Sequence, residues 1–257
     1  AVAYADAVRA APVVQQLLDG QLALEWTRVQ LVYDDPAKTL DTTQRTDLLL
    51  FPALVREIGQ PHRNLDLVSP YFVPGTEGRS ALEKLARSGV KVRLLTNSLA
   101  ATDESAVHAG YAKHRLTLLQ AGVRIYELMP TAMKNTLEHT GRFGVSSSSA
   151  LHAKTFALDR NRIFVGSFNF DLRSARLNTE MGLVIDSAAL SQQLADFFDA
   201  TVSKVAYEVR LTQDGQALEW VEWTPSGEVR YVTDPGTSWF LRGKVNLLSV
   251  LPIDWLL

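Results

Sequence analysis

The most informative segment of the chain is Leu151-His-Ala-Lys-Thr-Phe-Ala-Leu-Asp-Arg-Asn-Arg-Ile-Phe-Val-Gly-Ser-Phe-Asn-Phe-Asp171. Residues 151–158 alternate as a strand does, residues 159–162 favour a turn, and residues 163–165 form a second short apolar strand, so the stretch predicts a β-hairpin. Side chains two positions apart on a strand share a face. His152 and Lys154 therefore point the same way, roughly 6–7 Å apart.

The hairpin register determines which polar groups meet this pair. If the loop is the two residues 160–161, Lys154 lies opposite Ser167, and His152 lies opposite Asn169. An imidazole, an ammonium, a hydroxyl and an amide would then form one patch. Such a set suits a phosphate, because it offers one positive charge, several donors, and a histidine that can attack or donate a proton.

Three further positions have structural interpretations. Gly166 allows another segment of backbone to approach closely. Asp171 can cap a following helix, residues 172–177, whose N-terminus favours an anion. Asp159 lies seven strand residues, or about 23 Å, from His152, so we expect it to stabilise the turn instead of touching the same phosphate.

The spacing of these residues resembles the HKD motif of the phospholipase D superfamily. Every fixed position of the motif is filled, in the order His152-x-Lys154-x4-Asp159-x6-Gly166-Ser167-x-Asn169. The resemblance implies chemistry through a phosphohistidine intermediate, with neither a metal nor a cofactor. Asp159 and Gly166 would be structural members of the motif.

The resemblance also implies roles for the other motif residues. His152 would be the nucleophile or the general acid, while Lys154, Ser167 and Asn169 would hold phosphate oxygens. Glu180 lies 180 − 152 = 28 residues beyond the histidine, where the family places an acid that orients it.

Composition limits the classes of function. The chain has 257 residues, of which 46% are hydrophobic, and its formal net charge is −2. Because nucleic-acid binders usually carry a basic excess, we expect no nucleic-acid partner. The absence of cysteine excludes disulfides, thiolate catalysis and cysteine-based metal sites. The sequence contains no apolar run of 18 residues, so it predicts no membrane span. The first residue is alanine, which is typical of a processed or cut chain.

Residues 64–128 predict a strand, helix, strand, helix, strand order, which is typical of βαβ units and a parallel sheet. With the resemblance, this order predicts an α/β fold, namely a phospholipase D-like α/β/α sandwich with a mixed, largely parallel sheet. Tyr71 and Phe72 follow the first of these strands, at an edge where α/β folds bind ligands. They would either line an apolar substrate channel or pack in the core.

Later segments give coarser predictions. Residues 130–149 are polar and irregular, and His139 within them lacks a lysine partner. Residues 187–208 predict one long amphipathic helix, and residues 217–233 predict a hairpin around a Pro-Ser-Gly turn. The apolar tail at 240–257 would pack across the domain or rest on a membrane surface.

The chain contains one His-x-Lys pattern, whereas active sites of the resembled family join two. Five stretches carry a second resemblance: Ser69-Pro-Tyr-Phe-Val-Pro74, Leu95-Thr-Asn-Ser98, Gly166-Ser-Phe-Asn-Phe-Asp171, Arg173-Ser-Ala-Arg-Leu-Asn-Thr-Glu180 and Leu251-Pro-Ile-Asp-Trp-Leu-Leu257. They resemble the C-terminal half of bacterial cardiolipin synthases, especially the cardiolipin synthase C-like branch. We therefore expect residues 1–45 to be a junction to a missing N-terminal half, residues 46–210 to be the catalytic domain, and residues 211–257 to be a hairpin and tail. The N-terminal half, or a second copy of the chain, would supply the other motif.

The resemblance implies a phosphatidyltransferase that makes cardiolipin from phosphatidylglycerol and a second phospholipid. By this likeness His152 would be the acid/base partner of a nucleophilic histidine on the first motif. A peripheral position on a membrane of the bacterial cell envelope would follow from lipid substrates. Two alternatives are a homodimeric single-motif phosphodiesterase, either a phospholipase D or a nuclease, and a non-catalytic half-site module.

Overall fold

The computed structural model describes residues 8–22, 24–40, 45–130 and 151–251. Most of the predicted polar segment, including His139, lies outside the described residues, as do residues 252–257 of the predicted tail.

Within the described residues, the centre of the structure is one sheet of ten strands. In chain order the strands are β1 (Val29–Tyr33), β2 (Asn64–Val68), β3 (Lys91–Asn97), β4 (Arg124–Leu128), β5 (Thr155–Leu158), β6 (Arg162–Gly166), β7 (Met181–Ile185), β8 (Ala206–Leu211), β9 (Leu218–Thr224) and β10 (Gly227–Tyr231). Their spatial order is β1-β7-β6-β5-β2-β3-β4-β8-β9-β10.

The sheet is mixed, as predicted, but it is not largely parallel. Of the nine described strand pairings, only β2 with β3 and β3 with β4 are parallel. These two pairings belong to the predicted βαβ units. The other seven described pairings are antiparallel.

Helices cover the sheet. In chain order they are α1 (Pro12–Leu18), α2 (Leu50–Ile58), α3 (Gly75–Arg87), α4 (Ser105–Ala112), α5 (Arg115–Gln120), α6 (Leu172–Arg176), α7 (Ala188–Ala200), α8 (Val202–Val205) and α9 (Trp239–Ser249). Two 3₁₀ segments, Pro36–Leu40 and Thr46–Leu48, follow β1. Gly59 and Gly89 follow α2 and α3 with positive φ angles, which glycine adopts readily, and both helices end there.

The predicted sandwich is confirmed around β6. This strand contacts both α2 and α7. Its adjacent residues Ile163 and Phe164 point to opposite faces, and both are buried. Helices therefore cover both faces of the sheet at the strand that carries the second half of the motif.

The motif hairpin forms, but its register differs by one residue from the prediction. Leu158 pairs with Arg162, and Thr155 pairs with Val165, so Lys154 lies opposite Gly166 instead of Ser167. The Gly166 N–H donates to the Lys154 carbonyl at 3.2 Å. The physical reason is the turn, in which Asp159 has a φ of 52° and the next residue one of 57°. Two left-handed residues extend the loop to the three residues 159–161.

The C-terminal part was predicted only in part. The long helix expected at 187–208 ends at Ala200, and β8 takes up Ala206–Leu211. β8 completes the edge of β4, and this pairing outweighs the helical pattern. The predicted hairpin is confirmed as β9 and β10, with Gly227 paired to Thr224. The sheet crosses both proposed domain boundaries, because β1 pairs with β7 and β9 pairs with β8.

Within the described ranges, no helix has the length and apolar character needed to cross a membrane.

Candidate active site

His152 and Lys154 lie together just before β5. The Nε2 atom of His152 is 3.5 Å from the Lys154 Nζ atom, and the same ammonium donates to the His152 carbonyl at 3.0 Å. The imidazole is exposed and the lysine is partly buried. The predicted common direction of the two side chains is thus what the structure has, although their polar ends are closer than an extended strand would place them.

Three carboxylates surround the ammonium group. Burial lowers the pKa of Lys154, and the negative charges of Glu180, Asp171 and Asp103 act in the opposite direction without cancelling the effect. Desolvation thus disfavours the charged form of Lys154, whereas the acidic neighbours favour it. Of these three acids, Asp103 had no role in the sequence prediction.

The backbone before His152 is held by Asn97 at the end of β3. The Leu151 N–H donates to Asn97 Oδ1 at 3.0 Å, and Asn97 Nδ2 lies 3.4 Å from the carbonyls of both Leu151 and Pro70. Sequence reasoning missed this residue. The available signal was a polar triplet, 96–98, directly after a buried strand at the edge where α/β folds place ligands.

Ser167 is bonded to Glu180 instead of facing Lys154 across the hairpin. Its Oγ donates to a carboxylate oxygen of Glu180, and it accepts the Met181 N–H at 3.1 Å. Gly166 lies beside it where backbones meet closely: a Cβ there would be 2.5 Å from the Met181 carbonyl and 2.7 Å from the Cα of Gly182. The predicted close approach at Gly166 is confirmed, and it brings β6 against β7.

Glu180 is buried and accepts several hydrogen bonds. Besides Ser167, the Ser174 hydroxyl donates to it at 2.9 Å and the Asn178 amide at 3.3 Å. These described bonds do not include His152. The structure thus brings Glu180 to the site, where its charge acts on Lys154, while an orienting contact with the histidine stays a prediction.

Asn169 is 9% exposed and sits on the same network. Its N–H donates to the Ser174 Oγ at 3.3 Å, whereas its side-chain Oδ1 is buried without a hydrogen-bond partner among the described residues. Buried polar atoms normally have partners. This Oδ1 can accept a hydrogen bond from a donor group in the site, whereas the role predicted for Asn169, holding a phosphate oxygen through its amide N–H, stays a prediction.

Asp171 caps α6, as predicted, by accepting the Ser174 N–H at 2.7 Å. Burial raises the pKa of this carboxyl group, although the hydrogen bonds from Ser174 oppose the shift.

The two aromatic residues predicted to line a channel have different environments. Phe72 is 1% exposed and stacks on Phe170 with 5.4 Å between ring centroids. It packs in the core, which is one of the two roles that the sequence left open, and the lining of a substrate channel stays a prediction. Tyr71 is partly exposed and donates to Asp103 Oδ1 at 2.8 Å. Burial, followed by the hydrogen bond to Asp103 and the charge of that carboxylate, raises the pKa of Tyr71. The charge of Asp103 also acts on Lys154, so the pair lies near the site.

Asp159 stabilises the turn by binding a segment that lies outside the hairpin. Its carboxylate accepts the backbone N–H groups of His62, Arg63 and Asn64 at 2.6–3.1 Å. The motif hairpin is thereby tied to the entry of β2. Burial acts to raise the pKa of Asp159, but these three hydrogen bonds outweigh it and lower the pKa.

Among the described residues, no three histidine, aspartate or glutamate side chains come together as a set that could hold a metal ion. The polar groups of the site are arranged as hydrogen-bond donors, acceptors and one ammonium. They can bind a phosphate oxygen, position a proton on His152, and balance charge between Lys154 and the acids.

A family model described as "Cardiolipin synthase, PLD-like domain" matches residues 54–202. This chain belongs to the phospholipase D-like domain family. The match includes the whole motif hairpin and Glu180, and it begins after the 3₁₀ segments that follow β1.

Two curated relatives illustrate the similarity. Cardiolipin synthase C of Escherichia coli K12 is 42% identical over 255 residues, which are 99% of this chain and 53% of that protein. Cardiolipin synthase A of Pseudomonas aeruginosa PAO1 is 32% identical over 168 residues, or 65% of this chain and 29% of that protein. The chain spans about half or less of the length of these relatives.

A solved structure supports the fold. The crystal structure of Nuc, a phospholipase D family member from Salmonella typhimurium, aligns with a TM-score of 0.50 and 15% sequence identity. The alignment covers 72% of this chain and 99% of that one. At this identity the likeness is one of fold.

We predict that Asp159→Asn weakens the fold in a pH-dependent way. A carboxyl group whose pKa is lower in the folded state stabilises above its unfolded pKa of about 3.9 and loses that contribution as the pH falls through its folded pKa. Chemical unfolding at neutral pH should show a loss of about 1 kcal/mol, and the difference from the wild type should vanish in acid.

Glu77→Gln is the matched control, because Glu77 is exposed on α3. We expect its unfolding free energy to stay within about 0.5 kcal/mol of the wild type. An Asp159→Asn difference that is constant between pH 7 and acid would contradict the ionic account of this turn.

Proposed function

We propose that the protein containing this chain is a phosphatidyltransferase that makes cardiolipin from phosphatidylglycerol and a second phospholipid. The observation that carries the proposal is the His152–Lys154 pair, 3.5 Å apart, at the edge of a phospholipase D-like sheet. The 42% identity to a protein named cardiolipin synthase C supports the lipid substrate class.

The reaction requires two histidines, of which this chain supplies His152. The nucleophilic histidine of the other half attacks phosphorus, so that a nitrogen–phosphorus bond forms and the bond to the leaving alcohol breaks. His152 gives its proton to the departing oxygen. It then takes a proton from the second alcohol, whose oxygen attacks phosphorus and releases the first histidine.

The remaining groups would stabilise charge around the phosphate. Lys154 offsets the negative charge that develops on the phosphoryl oxygens, a contribution of several kcal/mol in a water-excluded site. Asn169 would donate from its side-chain amide nitrogen to a phosphate oxygen, and its buried Oδ1, which has no described partner, would accept from a donor in the site. Ser167 would act through its hydrogen bond to Glu180. Glu180 would hold Lys154 and His152 in their positions relative to each other.

The other half of the site would come from an N-terminal half of the same protein. The chain spans 53% of the Escherichia coli relative, which leaves room for a second domain of similar size there. In this arrangement residues 46–210 carry the catalytic side chains. Residues 1–45 lead from the first half and contribute β1 to the sheet, while residues 211–257 add β9 and β10 and place the tail on the domain or the membrane. A homodimer with two copies of His152 is the alternative.

Helix α9 offers a surface for a peripheral membrane position. Val245 is buried and packs with Leu99, while the opposite side leaves large apolar residues exposed. The exposed set is Trp239, Phe240, Leu247, Val250 and Leu251. Lys244 is also exposed on this helix and would favour anionic phospholipids. Because Leu99 starts the loop that carries Asp103, bound lipid would lie near the site.

His152→Ala in the full-length protein should abolish phosphatidyl transfer, because the leaving oxygen loses its proton donor. The measurement is the conversion of labelled phosphatidylglycerol to cardiolipin. His62→Ala is the control, because His62 is exposed and lies at the turn end of the motif hairpin, beside Asp159. This variant should leave turnover unchanged. Substantial turnover by His152→Ala would sink the assignment.

Light scattering of this chain alone should give a monomer near 28.4 kDa without phosphodiester turnover, because half of the histidine pair is missing. Addition of the N-terminal half should then restore activity. A stable dimer that is active by itself would instead favour the homodimeric phosphodiesterase.

Phe240→Ser combined with Leu247→Ser should weaken binding of the chain to phosphatidylglycerol vesicles by about tenfold or more, because two large apolar side chains no longer enter the interface. Sedimentation with vesicles measures the bound fraction. The matched double variant Val229→Ser and Val232→Ser lies on and after β10 and should bind like the wild type. Equal losses in both double variants would argue against α9 as the membrane face.

A further inference from the structure

A buried ion pair lies outside the part of the chain that the family model matches. The Lys38 Nζ atom is 2.9 Å from Asp34 Oδ1, and both side chains are at most 2% exposed. Asp34 directly follows β1, and Lys38 lies on the 3₁₀ segment Pro36–Leu40. Both belong to the segment that the sequence suggested was a junction.

Asp34 holds the backbone of Glu180 from both sides. Its carboxylate Oδ2 accepts the Glu180 N–H at 2.8 Å, and its own N–H donates to the Glu180 carbonyl at 2.8 Å. The other carboxylate oxygen accepts the Leu50 N–H at the start of α2 at 2.6 Å. One side chain thus connects the acid of the site to the helix that covers β6 and β7.

Lys38 holds the other end of the same loop. Its ammonium donates to the carbonyls of Ser174 and Asn178, at 3.1 and 2.7 Å. With the bond to Asp34, all three of its N–H donors have partners. The two carbonyls lie at and beyond the end of α6, where a helix leaves carbonyl groups without internal partners.

The two anchored segments carry side chains that meet at the site. The Ser174 hydroxyl donates to Glu180 and accepts the Asn169 N–H, so its position fixes both residues. The Glu180 carboxylate in turn holds Ser167. A shift of the loop between α6 and β7 would therefore move three of the motif-associated side chains together.

A pair buried this deeply is costly for stability alone. Removing two charges from water costs several kcal/mol per ion, and apolar replacements of such pairs are often neutral or stabilising. The directional bonds of Asp34 and Lys38 to the loop provide what apolar residues could not, namely a fixed position for the backbone of Glu180.

We propose that Asp34 and Lys38 are positioning residues of the active site, which act by holding the loop from Ser174 to Glu180. The proposal rests on the proposed function, since it assigns these residues to the same phosphoryl-transfer site. It makes the segment before residue 54 a working part of the catalytic half.

The test compares two double variants of the full-length protein. Asp34→Asn with Lys38→Met removes the pair without leaving one charge alone. Asp66→Asn with Arg93→Met removes another buried pair, in which Arg93 forms bonds of 2.5 and 2.8 Å to Asp66 between β2 and β3. The control thus matches the loss of a buried ion pair, because the described side-chain bonds of Asp66 and Arg93 join these two residues and Asp199, and none reaches the loop from Ser174 to Glu180.

Three quantities are measured for each protein: kcat and KM for phosphatidyl transfer, the thermal midpoint, and amide hydrogen exchange at residues 174–181. We expect Asp34→Asn/Lys38→Met to lower kcat roughly 10- to 100-fold with a small change in KM, because misplacement of about 1 Å has effects of that size. Exchange at residues 174–181 should rise. The control should lose stability while it keeps kcat and that exchange pattern.

Equal losses of kcat in both double variants at matched stability would overturn the proposal, and so would unchanged exchange at residues 174–181. Faster exchange with full kcat would show that the anchor does not serve catalysis. A wild-type protein without transfer activity would overturn the proposed function instead, while the exchange data would still decide whether the pair holds the loop. If the first variant does not fold, Asp34→Asn/Lys38→Gln, which keeps an acceptor and a donor, is measured in its place.

Discussion

The antiparallel pairing of β5 with β2 determines where the active-site residues lie in the sheet. β2, β3 and β4 form a parallel unit, and β5 enters the sheet directly beside it in the opposite direction. Asp159 secures this junction through three backbone N–H groups at the entry of β2. The start of β5 therefore lies at the carboxyl ends of the parallel strands, which is where His152 and Lys154 are placed.

From this arrangement the composition of the site follows. The carboxyl end of β3 supplies Asn97, the loop after β2 supplies Tyr71, and the segment after β6 supplies Ser167 and Asn169. These groups are attached to three different strands of one sheet. Their relative positions thus depend on strand pairing more than on the loops that bear them.

Much of this could be predicted from the sequence, because the information was local. The motif hairpin, the βαβ units and the cap by Asp171 depend on residues close in the chain. The register error arose where the local signal was ambiguous, since Asp159 and Arg160 both adopt positive φ angles that non-glycine residues adopt uncommonly. Phe72 was undecided for the same reason, because only tertiary packing against Phe170 separates a core ring from a lining ring.

The contacts that escaped prediction join residues distant in the chain. Asp34 and Glu180 are 146 positions apart, and Lys38 and Asn178 are 140 apart. A lone lysine and a lone aspartate in a polar segment carry no sign of burial. The strand at Ala206–Leu211 was missed likewise, because its preference is set by the open edge of β4 and not by its own residues.

The position of β1 separates the limits of the family match from the limits of the folding unit. A fragment cut to residues 54–202 would retain the entire HKD motif. It would lack β1, however, so β7 would expose a row of unpaired N–H and C=O groups on that side. β4 would lose β8 in the same way. A fragment cut at the limits of the family match would therefore have two unpaired sheet edges. It would be prone to self-association, even though every residue that defines the family is present.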